Sequence, residues 1–208
     1  MFSWHQGPRP RPPRLVVPDQ PHHVTQRGQS RHAVFFSEED YALYFALLRH
    51  WCGKHGLAVW AWCLMPNHVH LILVPPAEDR LGRALGPLHR RYALEANRRH
   101  GWTGHLWQDR FASFPLDEAR LYASLRYIEL NPVRARLAER PEDWRWSSAR
   151  GHLGLAADRL VDPEPARVRV EDWRAFLDEG LDPDDHADLR LAERSGRLPA
   201  KGRGGEQG

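Results

Sequence analysis

Cysteine is scarce in this chain. Only Cys52 and Cys63 carry a thiol among 208 residues, and they do not have metal-ligand spacing. That argues against a disulfide framework and fits a reducing cytosol. Long apolar runs are missing as well: no segment approaches the length of a membrane span, so no membrane partner is expected. The N-terminus is rich in Pro and Arg and lacks the apolar core of a secretory signal. No internal repeat is visible. Together these absences point to a soluble, cytoplasmic protein. What remains is ample for a fold. Hydrophobic residues make up 41% of the chain, nine Trp supply large packing or stacking surfaces, and the length allows one ordinary domain plus extensions.

The net charge of +3 conceals an asymmetry. Residues 156–208 hold 13 acidic and 9 basic side chains, a balance of −4, and residues 1–155 hold 14 acidic and 21 basic, a balance of +7. A basic body is what a polyanion binder needs for its sequence-independent affinity. Arg-rich composition from a GC-rich genome is the competing explanation.

Composition and periodicity divide the chain into three parts. Residues 1–14, rich in Pro and Arg, read as a basic disordered arm. Residues 15–155 read as the structured domain, and residues 156–208 as a C-terminal helical extension with a disordered tail. Within the domain, His22 to Arg27 reads as a strand, with a turn through Gly28–Arg31 and a short strand over Ala33–Phe36. Ser37 and the acids after it mark a helix start, Tyr41, Tyr44, Phe45, Leu48 and Cys52 follow at helical spacing, and Gly56 closes the helix. Leu57–Leu64 and His68–Val74 make a hairpin through Met65-Pro66-Asn67. A basic helix over Arg80–Arg99 and an extended stretch over Leu106–Leu116 come next. Asp117 then caps a third helix ending near Asn131, because Pro132 disfavours helical geometry before it. Glu171–Gly180 and Asp184–Ser195 read as further helices. The order β, α, β-hairpin, α, β, α predicts an α+β fold, a mostly antiparallel central sheet with helices packed on it.

Two pairs of residues carry the chemistry. His68 and His70 lie one residue apart in an otherwise apolar strand. Side chains at i and i+2 leave the same face, with Cα atoms roughly 6.5 Å apart. Strand positions of this kind usually hold Val or Ile, so two imidazoles there call for a partner such as a divalent metal. From the pair alone, a metal site and an exposed strand end with two solvated histidines both remain open. Tyr127 and Asn131 stand four apart, on one helical face. A phenol is a nucleophile and an amide oxygen can ligate a hard cation. Metal-assisted attack of tyrosine on a phosphodiester needs an ion, a nucleophile and cationic groups to hold the polyanion.

Three ordered motifs carry a resemblance: Leu64-Met65-Pro66-Asn67-His68-Val69-His70-Leu71, Gly104-His105-Leu106-Trp107-Gln108-Asp109-Arg110-Phe111, and Tyr127-Ile128-Glu129-Leu130-Asn131-Pro132-Val133-Arg134-Ala135. With Val24-Thr25-Gln26-Arg27-Gly28 and Trp146-Ser147-Ser148-Ala149, they resemble the single-tyrosine HUH transposases over about residues 14–155. The resemblance implies a ferredoxin-like HUH nuclease fold that cuts and rejoins single-stranded DNA. It implies that His68 and His70 are the metal-binding pair, that Tyr127 forms a 5′-phosphotyrosine and frees a 3′-hydroxyl, and that Asn131 is a third, polar metal ligand. Asn131 and the region beyond the tyrosine helix are more similar to the REP-associated tyrosine transposases, which act on palindromic hairpin repeats. The implied ion is Mg²⁺ by abundance or Mn²⁺ by ligand type, and the implied partner is single-stranded or hairpin DNA, met by a monomer or homodimer. Arg27, Arg110 and Arg134 are candidate phosphate contacts and Trp107 a candidate stacking surface, against the alternatives of surface arginines and a core tryptophan. Gly196-Arg197-Leu198-Pro199 only partly echoes the basic tail motif of relatives. Two other classes stay open: a domesticated DNA-binding protein without catalysis, and a small-molecule metallohydrolase. The second would want further His, Asp or Glu ligands, and none is apparent near the strand.

Overall fold

The computed structural model describes residues 14–161 and 170–195. Residues 1–13 of the expected arm and the tail with its Gly196–Pro199 echo lie outside the described residues; Arg14, placed in the arm, is instead fixed, donating to Phe111 O at 2.9 Å and lying 3.7 Å over that ring. Four strands form the sheet: β1 (His22–Arg27), β2 (Ala58–Met65), β3 (His68–Val74) and β4 (Ala112–Pro115). Helices α1 (Glu38–His55) and α2 (Arg80–His100) provide the two crossovers. The sheet order is β2-β3-β1-β4, and every neighbouring pair is antiparallel. A βαββαβ chain in that order is the ferredoxin-like arrangement. The α+β class and the antiparallel sheet expected from the sequence are therefore found.

Alternation along the strands builds two cores. Val24, Trp62, Leu64, Val69, Leu71 and Leu73 leave one face and pack against Tyr44 and Leu48 of α1 and Leu81, Leu85, Leu88 and Tyr92 of α2. Ala61, Cys63, Met65, Ile72 and Phe114 leave the other. That second face is covered by α3 (Glu118–Glu129), α6 (Trp173–Asp178) and α7 (Pro183–Ser195), through Leu121, Leu125, Ile128, Phe176, Leu177, Leu189 and Ala192. Burial on both faces explains why β2 and β3 read as nearly continuous apolar runs. Among the described residues no helix is long and apolar enough to cross a membrane.

Two local expectations are corrected, and the end of the third helix is refined. Ala33–Phe36 is not a strand: Val34 and Phe35 both donate backbone N–H to Pro66 O, which ties this segment to the hairpin turn without a ladder. Only Ala112–Pro115 of the stretch 106–116 pairs with β1, opposite His22–Thr25. Beyond that the chain swings off the strand and touches it again through the Gly28–Trp107 bridge and Gln108 N–H to Arg27 O at 2.9 Å. The third helix ends at Glu129, and Asn131 opens a separate short helix, α4 (Asn131–Arg134). Pro132 has no N–H to give the carbonyl four residues back, so the regular helix cannot run through it.

The outer edge of β2 is not left bare. Leu64 N–H donates to Trp146 O at 2.8 Å and Ser148 N–H donates to Trp62 O at 2.9 Å, so residues 146–148 cover it. Short α5 (Ala149–His152) follows. Glu129, fully buried at the end of α3, accepts from Ser148 Oγ at 2.6 Å and Trp173 Nε1 at 2.7 Å and pairs with His152. One carboxylate thus joins α3, α5 and α6 to the β2 edge.

His89 on α2 is buried against the Tyr44 hydroxyl at 3.0 Å, and burial pushes its pKa down to about 3. The unfolded chain takes up this proton near pH 6.5 and the folded chain does not, so stability is complete above about pH 6.5 and is lost as pH falls toward 3. The unfolding free energy in urea should decline across that window, by at most about 1.4 kcal/mol per pH unit for each such histidine. His89→Phe should flatten the slope. An unchanged slope in the variant would show that His89 is not among the titrating groups.

Candidate active site

The register of β1 and β3 builds the site. Thr25 stands opposite His70, Arg27 opposite His68 and His23 opposite Ile72. Directly opposed residues share a face, so His68, His70, His23 and Arg27 all leave the sheet toward α3 and α7. His68 and His70 have ring centroids 4.7 Å apart, as their spacing predicts. The solvated strand end is excluded for His70, which is completely buried; His68 is half-buried, with Nδ1 against Asn67 Oδ1.

Sequence reasoning missed two members of this site. His23 Nε2 lies 3.1 Å from His70 Nδ1, and Glu193, reaching in from α7, places Oε1 3.6 Å from the same nitrogen. Ligand atoms of His23, His70 and Glu193 all lie within 4.8 Å of one another. The expectation that no further His, Asp or Glu ligands stand near the strand is therefore overturned. His23 had a signal, because His23, Thr25 and Arg27 alternate along one strand face, but choosing that face requires the register. Glu193 had none beyond its place in a helix far along the chain.

Burial drives all three imidazoles toward the neutral form. The pKa values of His23 and His68 are pushed down to about 3, in His68 with help from Arg27, and His70 falls well below its ordinary value. Neutral imidazole is the metal-binding form. His23 Nδ1, His70 Nε2 and Glu193 Oε1 are buried without a hydrogen-bond partner. With both rings neutral, the His23–His70 hydrogen bond leaves one outer ring nitrogen a donor and the other an acceptor, so an N–H, a ring nitrogen and a carboxylate oxygen go unserved, which is costly unless something polar or cationic meets them. The donor set, two imidazoles and a carboxylate, fits a divalent transition ion such as Mn²⁺.

Tyr127 of α3 points into this group. Its ring lies 5.5 Å from His70 and 6.0 Å from His23, and the Arg134 guanidinium sits 4.6 Å over it. Glu193 stands close enough for its charge to act on the phenol. Burial, then the charge of Glu193, raise the phenol pKa well above its ordinary value, and Arg134 opposes them. Glu193 is itself raised, chiefly by burial, although Tyr127, Arg27 and Arg134 stabilise its charge. Tyr127 is only 4% exposed, sealed beneath α7, whose His186 lies 5.8 Å from the ring.

The remaining candidates are placed unevenly. Asn131 is buried, but it begins α4 and its side chain makes no hydrogen bond to the imidazoles among the described residues. Arg27 pairs with Glu193 at 3.2 Å. Arg27 and Arg110, with Arg31 and Arg190, line a cavity of about 370 Å³ that Glu193 borders. Trp107 lies apart, on the side of α2: its indole donates to His89 O at 2.9 Å and packs on His89 and Tyr92. That geometry is the core packing anticipated as its alternative.

Residues 17–131 match the family described as IS200-like transposases. A Haemophilus influenzae protein described as a REP-associated tyrosine transposase is 27% identical over 133 residues, covering 59% of this chain and 69% of that protein. A solved structure, described as a REP-associated tyrosine transposase bound to a REP hairpin, aligns with a TM-score of 0.56. It covers 82% of this chain and 99% of its own at 19% identity, and at that identity the likeness shows the fold alone.

The phenol environment makes a spectroscopic prediction. The absorbance difference at high pH between the wild type and Tyr127→Phe should show no ionisation step near pH 10, where a free phenol titrates. Glu193→Gln should lower the pH at which Tyr127 ionises by removing the neighbouring charge. A Tyr127-dependent step near pH 10 in the folded wild type would overturn the assigned environment.

Proposed function

This chain belongs to the family of IS200-like transposases, and on that premise we propose that it cuts and rejoins single-stranded DNA beside a hairpin through a covalent bond to Tyr127. The observation that carries the reading is a phenol facing two neutral imidazoles and a carboxylate inside a basic domain. Tyr127 Oη attacks the scissile phosphorus, the phosphorus–oxygen bond to the 3′ side breaks, and a 5′-phosphotyrosine and a free 3′-hydroxyl result. Attack by a side chain in place of water keeps the phosphodiester's energy in the adduct, so the 3′-hydroxyl can reverse the step. The Glu193 carboxylate, beside the phenol, is placed to take its proton, and Arg134 over the ring favours the charge that develops on the oxygen.

His68, His70 and Asn131 are the ligands proposed for Mg²⁺ or Mn²⁺, and His23 and Glu193 are the donors that the geometry adds. Such an ion, when bound, polarises a phosphoryl oxygen and lowers the cost of charge in the transition state. Arg27 and Arg110 line the cavity beside Glu193 and, with Arg134, are proposed to hold phosphates; Trp107 is the weaker candidate because its indole is spent on packing. The proposed partner is hairpin DNA with a single-stranded flank, met by a monomer or homodimer in the cytoplasm. The transposase domain is proposed to span residues 15–155, with α7 of the extension over 156–208 laid across its site.

The seal over Tyr127 favours a second reading. With the phenol 4% exposed, α7 must withdraw before a phosphodiester reaches it. A chain that never made that movement would bind hairpins without cutting them.

Incubation with a labelled hairpin and Mn²⁺ or Mg²⁺ distinguishes these readings. Wild type should form a denaturation-resistant adduct that maps to Tyr127, and Tyr127→Phe should form none. An adduct in Tyr127→Phe, or release of free 5′-phosphate alone, would sink the transesterase mechanism. Binding with no adduct at any metal concentration would establish the binding-only reading. In the same assay His70→Ala should lose cleavage by roughly 100-fold or more while hairpin affinity, spread over many arginines, changes only a few-fold. Cleavage that persists in excess chelator would contradict the metal assignment.

A further inference from the structure

Two of the exposed large apolar side chains among the described residues are aromatic, Phe36 at 42% and Trp102 at 46% exposed. Distant in sequence, they touch: their ring centroids are 4.7 Å apart and nearly perpendicular. His100 completes a triangle, 4.7 Å from Phe36 and 4.8 Å from Trp102, close to parallel with the indole. The group stands apart from the histidine site and from every role assigned above.

Its construction is costly and specific. Asp40, 1% exposed, accepts from the Phe36 N–H at 3.0 Å, from Arg99 at 3.2 Å and from His100 Nε2 at 3.3 Å. One buried carboxylate therefore holds the segment bearing Phe36 and the last turn of α2 together. Gly101, at φ 66°, reverses the chain after α2, and Trp102 N–H returns to Asn97 O at 2.9 Å, which sets the indole beside His100. The location is also fixed. Phe36 follows Val34 and Phe35, whose N–H groups bond Pro66 O in the turn that leads into His68. The triangle thus sits on the side of the molecule where the histidine strand begins, and the end of α2 adds the exposed Arg98 and Arg99, which pair with Glu95 and Asp40 and keep further N–H groups toward solvent.

We propose that Phe36, His100 and Trp102 form a stacking platform for an unpaired base of the single-stranded DNA beside the hairpin, with Arg98 and Arg99 drawing its phosphates. Exposed aromatic faces beside guanidinium groups match a single strand, whose bases offer free π-faces and whose backbone is anionic. A duplex has its bases already stacked and cannot use the platform. An apolar protein segment would gain nothing from the adjacent positive charge. The proposal rests on the reading of this chain as a hairpin-DNA transposase and names a surface with which it would hold its substrate's flank.

The test uses the full chain and three labelled oligonucleotides: a blunt hairpin, the same hairpin with a mixed-sequence single-stranded flank, and an unstructured single strand. Trp102→Ala and Phe36→Ala should each weaken the flanked hairpin and the single strand roughly 5- to 100-fold. The blunt hairpin should stay within about twofold, and Trp102→Phe should restore most of the loss. Unchanged affinity for all three, or an equal loss on the blunt hairpin, overturns the platform. So does a wild-type dimer that dissociates in Trp102→Ala with no change in DNA binding, which would mark the surface as a contact between copies. If wild type shows no preference for hairpins over the single strand, the hairpin reading fails, while a selective loss of single-strand affinity in the variants still upholds the platform.

Discussion

The pairing of Thr25 with His70 across β1 and β3 is the constraint from which the site follows. Side chains alternate along a strand, so a slip of one residue would send His23 and Arg27 to the α1–α2 core and leave His70 facing a different set of neighbours. With the observed register, His23 reaches His70 diagonally, Arg27 comes alongside His68, and all four share the face that α3 and α7 close. The apolar residues of the same strands enforce it, because Val24, Val69 and Leu71 must enter one core while Ile72 and Phe114 enter the other. The chemistry of the site is a consequence of how the sheet buries its hydrocarbon.

That face is a polar pocket inside a two-sided core, and its groups compensate one another. Three imidazoles are held neutral by burial, and the one carboxylate among them is balanced by Arg27 from the sheet and approached by Arg134 from α4. Glu193 stands beside both the imidazole group and the phenol, so helix α7 and Tyr127 share one buried charge. One helix thus closes over both the phenol and the His23–His70–Glu193 group. Glu129, two residues beyond Tyr127, holds the tyrosine helix from behind through Ser148, His152 and Trp173. Front and back of α3 are each secured by a buried carboxylate, one facing the chemistry and one facing the scaffold.

Much of the architecture was legible because it depends on local periodicity. The strand at His68–Val74 and the β1 bounds were correct as read, Gly56 and Asp117 marked a helix end and a helix start, and the two late helices fell close to Trp173–Asp178 and Pro183–Ser195. The miss over residues 33–36 has a physical cause. They look like a strand in composition, yet both available donors there converge on a single carbonyl, Pro66 O. The end of the tyrosine helix was legible in Pro132, and α3 stops at Glu129, two residues short of Asn131. Trp107, which the sequence left open between a stacking surface and a core residue, packs on His89 and Tyr92.

The sequence by itself determined the fold class, the face shared by His68 and His70, and the residues that resemble a transposase, because strand alternation, helical spacing and short motifs act over a few neighbouring positions. Only the tertiary structure decided that His23 joins His70, that Glu193 arrives from α7, that Tyr127 lies sealed under that helix, and that Phe36 meets Trp102. Each of these joins residues far apart in the chain. Their encounter depends on strand register and helix packing, free energies that belong to the folded core as a whole and leave no pattern in any one segment.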